Sequence, residues 1–368
     1  MSTNPKVALL LSGGVDSSVA LHLLMQEGVE PDLFYIHIGA NEAGYADCPS
    51  EEDMEMVQWL AHHYQRPLEV INLHEEYWEY VVGYIIDTVR RGFTPHPDMM
   101  CNRVIKFGYF NEYAGRAYDQ IATGHYADKQ IIDGTHYLAT AKDRVKDQTD
   151  FLAQITYPQL VKARFPLGPL PKSEVRRIAE EQHLVTATRR DSQGICFLGK
   201  VNYNDFLEEH LGVQPGPIIE LESGEVLGEH RGFWFHTIGQ RKGLGLAGGP
   251  WFVVRKDIPQ NILYVSRGYD PITQYANVIE LGEMNFISGD PTPEVGSLDF
   301  VDMEVTFKVR HTPDFTSALL RKAADGSFVI LSKDLIQGVA PGQFCTLYDR
   351  DATLCYGSGV IARGRLVQ

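Results

Sequence analysis

The stretch Leu9-Leu-Leu-Ser-Gly-Gly-Val-Asp-Ser-Ser-Val-Ala-Leu-His-Leu-Leu24 decides the reading of this chain. An apolar run reaches two glycines, an acid and two serines, and a helical pattern begins at once. Residues 6–12 predict a buried strand, and residues 16–27 a helix that stops at Gly28. In such a turn the bare backbone at Gly13 and Gly14 lets amides approach an oxyanion. Ser17 and Ser18 fall at the helix start, where hydroxyls and unpaired amides bind phosphate. A Walker A loop would place a lysine after its second glycine, and here none follows. The turn therefore suits a pyrophosphate that leaves as a unit after attack at the α-phosphate.

Working outward, strand-like and helical runs alternate. Asp32 to Ile38 and Leu68 to Leu73 read as strands, as does the short run Gln120 to Thr123. Pro49 to Tyr64, Glu75 to Arg91, Cys101 to Tyr118 and Lys172 to Gln182 read as helices. This alternation predicts a parallel sheet covered on both faces. After about residue 212 glycine, proline and β-branched residues dominate, and Glu304-Val-Thr-Phe-Lys-Val-Arg310 alternates as a half-buried strand should. The expected fold class is α/β. A Rossmann-like parallel-sheet domain would span 1–212, a small middle module 213–275 and an all-β barrel 276–368. Gly243-Leu-Gly-Leu-Ala-Gly248 matches a dinucleotide fingerprint in letters only. It lacks the preceding strand and following helix, and reads as a loop.

Composition narrows the class. With 368 residues, 44% hydrophobic and 22% charged, the chain can bury a sizeable core. No apolar run reaches membrane-spanning length and no secretory signal is recognisable, so a cytoplasmic protein is expected. A net charge of −15 argues against indiscriminate nucleic-acid binding but not against a local basic face. Arg90-Arg91, Arg176-Arg177, Arg189-Arg190 and Arg241-Lys242 are the basic clusters, each readable as a solvated face.

The five cysteines form no CxxC pair, which speaks against a structural zinc site. Cys101 follows Thr94-Pro-His-Pro-Asp-Met-Met100, and its expected place in the first turn of a helix, near Arg103 and Lys106, would favour thiolate. Cys196 lies in the glycine-bounded segment Asp191-Ser-Gln-Gly-Ile-Cys-Phe-Leu-Gly199. Either thiol alone could equally be a small buried hydrophobe, the reading adopted for Cys345 and Cys355. Cys48 receives no task.

Six ordered motifs carry a family resemblance: SGGVDSS at 12–18, TPHPDMMCNRVIKF at 94–107, ATGHY at 122–126, KDQTDFL at 146–152, DSQGICFLG at 191–199 and HTIGQRKGLG at 236–245. With them the chain resembles the tRNA-specific 2-thiouridylase family of bacterial MnmA-type enzymes over nearly its whole length. The resemblance implies ATP, with Mg2+ on its phosphates, and a tRNA whose wobble uridine is adenylated on O2 and thiolated. It implies an ATP loop of Leu10, Leu11, Ser12, Gly13, Gly14, Val15, Asp16 and Ser17, with Ile36 and Gly124 near the adenosine. His96, Pro97 and Asp98 would meet the target base, where the family commonly has Asn-Pro-Asp. Cys101 would be the nucleophile and Cys196 the persulfide carrier, ending in a Cys101–Cys196 disulfide. His125, Lys146, Asp147, Gln148, Arg310, His311 and Gln343 would contact tRNA. A persulfide donor protein (a cysteine desulfurase or a relay) and a monomeric state are also expected. Rival readings are an ATP pyrophosphatase that amidates or ligates a small metabolite, and a non-catalytic RNA-binding protein with a β-barrel tail.

Overall fold

The structure, a computed structural model, describes residues 5–39, 50–190, 202–268, 272 and 275–367. Val7–Leu11 (β1) is buried at every position, as the central strand of a doubly covered parallel sheet must be. Asp32–His37 (β2), Leu68–Asn72 (β3) and Gln120–Ala122 (β4) run parallel with it. The hairpin of Asp128–Ile132 (β5) and Thr135–Ala139 (β6) then leaves the sheet. Ala163–Arg164 (β7) returns to it, completing the order β3-β2-β1-β4-β7. Because the strands are parallel, the turn after β1, the end of β2 and the Thr123–Tyr126 segment after β4 share one edge, where such sheets bind ligands.

Helices cover the sheet. Val15–Gln26 (α1) is buried through Ser17, Ser18, Val19, Ala20, Leu21, His22 and Leu24, and Gly28 at φ +74° ends it. A second helix, Ser50–His63 (α2), lies near β2. The helix expected from Glu75 runs without a break through His74–Glu76, Tyr77–Val82 and Gly83–Arg90, with a π-wound middle. The Cys101 helix is likewise continuous through Pro97–Met100, the π-wound Cys101–Tyr109 and Phe110–Tyr113.

The middle part is a four-stranded sheet of Gly216–Glu220 (β8), Val226–His230 (β9), Trp251–Asp257 (β10) and Ile262–Arg267 (β11). The glycines 243–248 precede β10 as bends and irregular chain, so the loop reading of that segment holds. Tyr275–Phe286 (β12), Phe300–Lys308 (β13), Thr316–Ala323 (β14), Phe328–Gln337 (β15), Phe344–Tyr348 (β16) and Leu354–Arg365 (β17) form a six-stranded antiparallel barrel, closed by the pairing of β12 with β17.

The hairpin β5–β6 was not foreseen. Its β6 adds to β17, with Leu138 opposite Cys355 and Ala139 opposite Leu354. It thereby joins the α/β part to the barrel by backbone hydrogen bonds. Its turn is Asp133-Gly134, with φ of 49° and 80°, the primed two-residue turn that a DG pair between apolar runs announces.

A buried polar tie reinforces that join. Asp147 and Lys308 are 0% and 1% exposed in their side chains, with carboxylate and ammonium 3.7 Å apart. Asp147 Oδ1 accepts from Ala141 N at 2.8 Å and Oδ2 from Thr149 Oγ1 at 2.7 Å. Thr149 Oγ1 is 3.1 Å from the Tyr348 hydroxyl on β16. Lys308 Nζ lies 3.9 Å from the centre of the Phe315 ring. Burial pushes the Asp147 carboxyl up and the Lys308 ammonium down, and each partner opposes the shift of the other. Removing one member strands the other charge, a loss of about 3–5 kcal/mol. Lys308→Met should therefore lower the melting temperature sharply, and adding Asp147→Asn should recover most of the loss. A Lys308→Met protein as stable as the parent would show that the pair does not tie the parts together.

Candidate active site

The phosphate turn is built from its own hydroxyls. Ser17 Oγ donates to Gly14 O at 3.1 Å and accepts from Ser12 N at 3.2 Å, and Ser18 Oγ donates to Gly14 O at 2.8 Å. The first i to i−4 bond of α1 is Ser18 N to Gly14 O at 3.2 Å. The amides of Val15, Asp16 and Ser17 thus precede the ladder, and Gly14 caps the helix without a side chain. An oxyanion fits that end.

The two glycines differ. Gly13 has φ +72°, and a Cβ there would meet Asp53 Cα at 2.8 Å and Asp53 O at 2.9 Å. Gly14 is extended (φ −88°, ψ 163°), and the nearest atom to an added Cβ is Ser12 Oγ at 3.4 Å. Gly13 is therefore required by the fold, and Gly14 only by whatever approaches the turn. Gly124 packs on the turn from β4, where an added Cβ would come within 2.7 Å of Ser17 N. Leu10, Leu11 and Val15 are buried beneath the turn. Ile36 is half-buried near the end of β2.

The cation missing from the loop comes from elsewhere. Lys172 Nζ, 156 positions from Asp16, lies 2.6 and 2.8 Å from its two carboxylate oxygens, and Tyr126 OH donates to Asp16 Oδ1 at 2.8 Å. Arg189 Nη1 donates to Gly13 O and to Asp53 Oδ1, both at 2.7 Å. Burial pushes the Asp53 carboxyl up against the pull of Arg189. Sequence spacing holds no signal for Lys172. The reading of the arginine clusters as solvated faces holds for Arg177, bridged to Glu174 and Glu181 on the surface. It fails for Arg176, which donates to the carbonyls of Ala187 and Arg189, and for Arg189 itself.

A hydrogen-bonded path leads from this turn to the Cys101 helix. Tyr126, bonded to Asp16, receives Gln148 N on its carbonyl at 2.8 Å and gives its own N–H to Gln148 Oε1 at 3.0 Å. Phe151 N donates to Gln148 O at 3.1 Å, and Asn102 Nδ2 donates to Phe151 O at 3.0 Å. Beside Asn102, Cys101 is buried, at 8% exposed. Its helix starts at Pro97, not after it, because proline suits a first helical position. Cys101 is thus one turn further in than expected, and its amide already bonds to the Pro97 and Asp98 carbonyls. The dipole argument for its acidity is weakened accordingly.

The remaining motifs gather at the mouth. His96 meets Phe151 edge-on at 5.5 Å and Phe344 at 6.2 Å. Burial holds the His96 imidazole low against the nearby Asp98 and Asp150. Its Nδ1 is buried without a partner among the described residues. Asp98, Arg310 and His311 are exposed, and Lys146, Gln148 and Gln343 half-buried. Arg310 donates to Gly338 O at 2.9 Å, and Thr94 N to Pro341 O at 3.0 Å, so barrel loops close over the strap before Pro97.

Two expected RNA contacts are interior in this structure. Asp147 is fully buried in the pair with Lys308. His125 is 9% exposed, its Nδ1 is 2.8 Å from Thr123 Oγ1, and burial holds its imidazole well below the ordinary range. Burial also pushes the Cys345 and Cys355 thiols up, as small hydrophobes. Cys48, Cys196 and the segment 191–199 lie outside the described residues. Asp150, Phe151 and Lys308 were missed as individual site residues, because only the barrel gives them their partners.

A strand, a glycine turn and a helix N-terminus at the carboxyl edge of a β3-β2-β1-β4-β7 parallel sheet define an ATP pyrophosphatase fold of the PP-loop type. The family models agree over the chain. Residues 5–200 match the tRNA methyl transferase HUP domain, 204–267 the tRNA methyl transferase PRC-barrel domain and 277–361 the Aminomethyltransferase beta-barrel domain. A tRNA-specific 2-thiouridylase MnmA from Porphyromonas gingivalis is 59% identical over 361 residues, covering 98% of this chain and 99% of its own. One from Parabacteroides distasonis is 57% identical over 357 residues, covering 97% and 98%. A solved U34-tRNA thiolase, NcsA from Methanococcus maripaludis, covers 57% of this chain and 68% of its own at 21% identity, with a TM-score of 0.34, too loose to argue from. The chain belongs to the tRNA-specific 2-thiouridylase family.

Two variants test the turn. Gly13→Ala should destabilise the protein by at least ~1 kcal/mol for the left-handed backbone alone, whereas Gly14→Ala should melt normally and lose ATP-dependent turnover. Lys172→Met should weaken ATP binding about tenfold to a hundredfold, the worth of one charged hydrogen bond. Normal ATP affinity in Lys172→Met would remove this lysine from the phosphates.

Proposed function

We propose that the chain catalyses ATP-dependent 2-thiolation of the wobble uridine of tRNA. The observation that carries this reading is the unbroken path Asp16–Tyr126–Gln148–Phe151–Asn102, which couples a phosphate turn to a cysteine helix. A small-metabolite ligase has no use for a thiol at the end of that path, and an RNA-binding protein has no use for the turn.

In this reading the turn from Leu10 to Ser17 holds the triphosphate, with Ile36 and Gly124 beside the adenosine. Uridine O2 attacks the α-phosphate and pyrophosphate leaves, with Lys172 and Arg189 as the nearby cations. Mg2+ would arrive on the ATP phosphates, since Asp16, the acid at the turn, already gives its oxygens to Lys172 and Tyr126. It would supply charge neutralisation there. His96, Pro97 and Asp98 meet the base, and the unpartnered His96 Nδ1 is a polar atom that a base edge would satisfy. A persulfide on Cys196, loaded by a donor protein, attacks C2 and displaces AMP. Cys101 then attacks Sγ of Cys196, so that the sulfur–sulfur bond breaks, the sulfur on C2 leaves as 2-thiouridine, and a Cys101–Cys196 disulfide remains for a reductant to reset. Release of sulfide from the persulfide is the second route to the same product. Lys146, Gln148, Arg310, His311 and Gln343 face the RNA, joined by the exposed Arg241 and Lys242 of the middle module. The working unit is taken as a monomer, with 1–212 catalytic, 213–275 in contact with tRNA and 276–368 the barrel. No helix among the described residues is long and apolar enough to cross a membrane.

The test is AMP formation that depends on tRNA. Cys101→Ser should lose 2-thiouridine while still forming AMP, because activation uses the turn and not the thiol. Full thiolation by Cys101→Ser, or AMP formation indifferent to tRNA, would overturn the reading.

A further inference from the structure

Two imidazoles flank Phe151, and they are prepared differently. His96 is packed against the edge of the ring, with its Nδ1 buried. His311 lies over the ring, with centroids 4.6 Å apart and planes tilted by 32°. Its Nδ1 is 3.0 Å from Asp150 Oδ2 and 3.3 Å from Oδ1. The Asp150 side chain is 6% exposed and that of His311 40%. Asp150 Oδ1 also accepts from Phe151 N at 3.1 Å. A carboxylate can only accept, so Nδ1 of His311 carries the hydrogen. The neutral ring is thereby held in the tautomer whose free nitrogen, Nε2, is a base. Nε2 has no partner among the described residues. A buried acid that orients an imidazole and leaves the far nitrogen open is the arrangement that proton transfer needs.

The reaction has an unassigned proton. Uridine O2 cannot become a stable phosphate ester while N3 keeps its hydrogen, because the product would be a cation. When N3–H is lost as O2 bonds to phosphorus, the C2–N3 bond becomes double and the adenylate is neutral. When sulfur later replaces the adenylyl oxygen and the thiocarbonyl forms, N3 must regain a proton. We propose that His311, oriented by Asp150, takes the N3 proton of the target uridine during adenylation and returns it when the thiocarbonyl forms. The electron pair of N3–H enters the ring, the proton goes to Nε2, and the P–O bond to pyrophosphate breaks. On return the proton leaves Nε2, and no external oxidant or reductant enters this step. The inference rests on the thiolation reading, which puts the base at His96–Asp98, next to Phe151 and within the electrostatic reach of His311.

The groups around His311 suit the task. Asp150 lies directly behind it, and Asp147 and Lys308 form a pair behind Asp150. His96 packs on Phe151 with Asp98 nearby, and Arg310 is the chain neighbour of His311. A fixed anion behind the ring stabilises imidazolium once the proton has arrived.

The experiment is single-turnover AMP formation with tRNA as a function of pH, beside tRNA affinity, for the wild type, His311→Gln, Asp150→Asn and His311→Gly with added imidazole. The wild-type rate should rise with pH, because only neutral His311 accepts a proton. His311→Gln should lose that limb and fall about a hundredfold at saturating tRNA, so that the loss is one of rate beyond any change in tRNA affinity. Asp150→Asn should fall similarly, and imidazole should restore part of the His311→Gly rate. His311 is exposed, so its variants should fold, as a melting curve would check. An unchanged pH limb in His311→Gln, or a loss confined to tRNA affinity, would overturn the proton role and leave an RNA contact only. A wild type that forms no AMP with tRNA at any pH would overturn the thiolation reading and this inference with it.

Discussion

A carboxylate removed entirely from water, that of Asp147, is the constraint on which the rest of the site depends. It cannot stay there uncompensated, so it collects the Ala141 amide, the Thr149 hydroxyl and the Lys308 ammonium. Those partners come from the strand end after the hairpin, from the segment 146–152 and from the barrel. Satisfying one buried charge therefore sets three pieces of chain against each other. The next residues, Gln148 to Phe151, inherit their positions from that junction, and they touch Tyr126, Asn102, His96 and His311.

The phosphate turn shows a second use of paired charge. Lys172 and Arg189 each rest on a carboxylate at the turn, Asp16 and Asp53. In a chain of net charge −15, two such cations would be neutralised by something in any state. Here Asp16 and Asp53 hold them beside the glycine turn. A triphosphate arriving there meets cations already oriented, so little side-chain entropy is lost on binding.

Much of the fold was legible from periodicity. β1, α1 and its Gly28 stop, the parallel strands and the change to β texture in the later part all follow from patterns within about a dozen residues. The hairpin at 128–139 was legible too, in Asp133-Gly134, but passed unread between stronger motifs. The start of the Cys101 helix was misjudged by one turn, because Pro97 serves as its first helical residue. Within the site, Ser12 to Ser17, Gly124 and Cys101 were visible as motifs. Lys172, Arg189, Asp150 and Lys308 were not, since a lone charged residue has no period and no neighbour in sequence that reveals its partner.

By itself the sequence determined where the glycine turn and the helix start lie, because glycine, hydroxyl and helix start must be contiguous in the chain for their amides to converge. It also determined the family, because six motifs kept their order. Tertiary structure alone decided which of those residues face outward. It turned His125 and Asp147 inward, and set Lys172 beside Asp16 and His311 over Phe151. The physical reason is that burial and charge pairing are properties of contacts across the fold. A residue 156 positions from its partner carries no mark of it until the sheet edge and the barrel bring the two within hydrogen-bond distance.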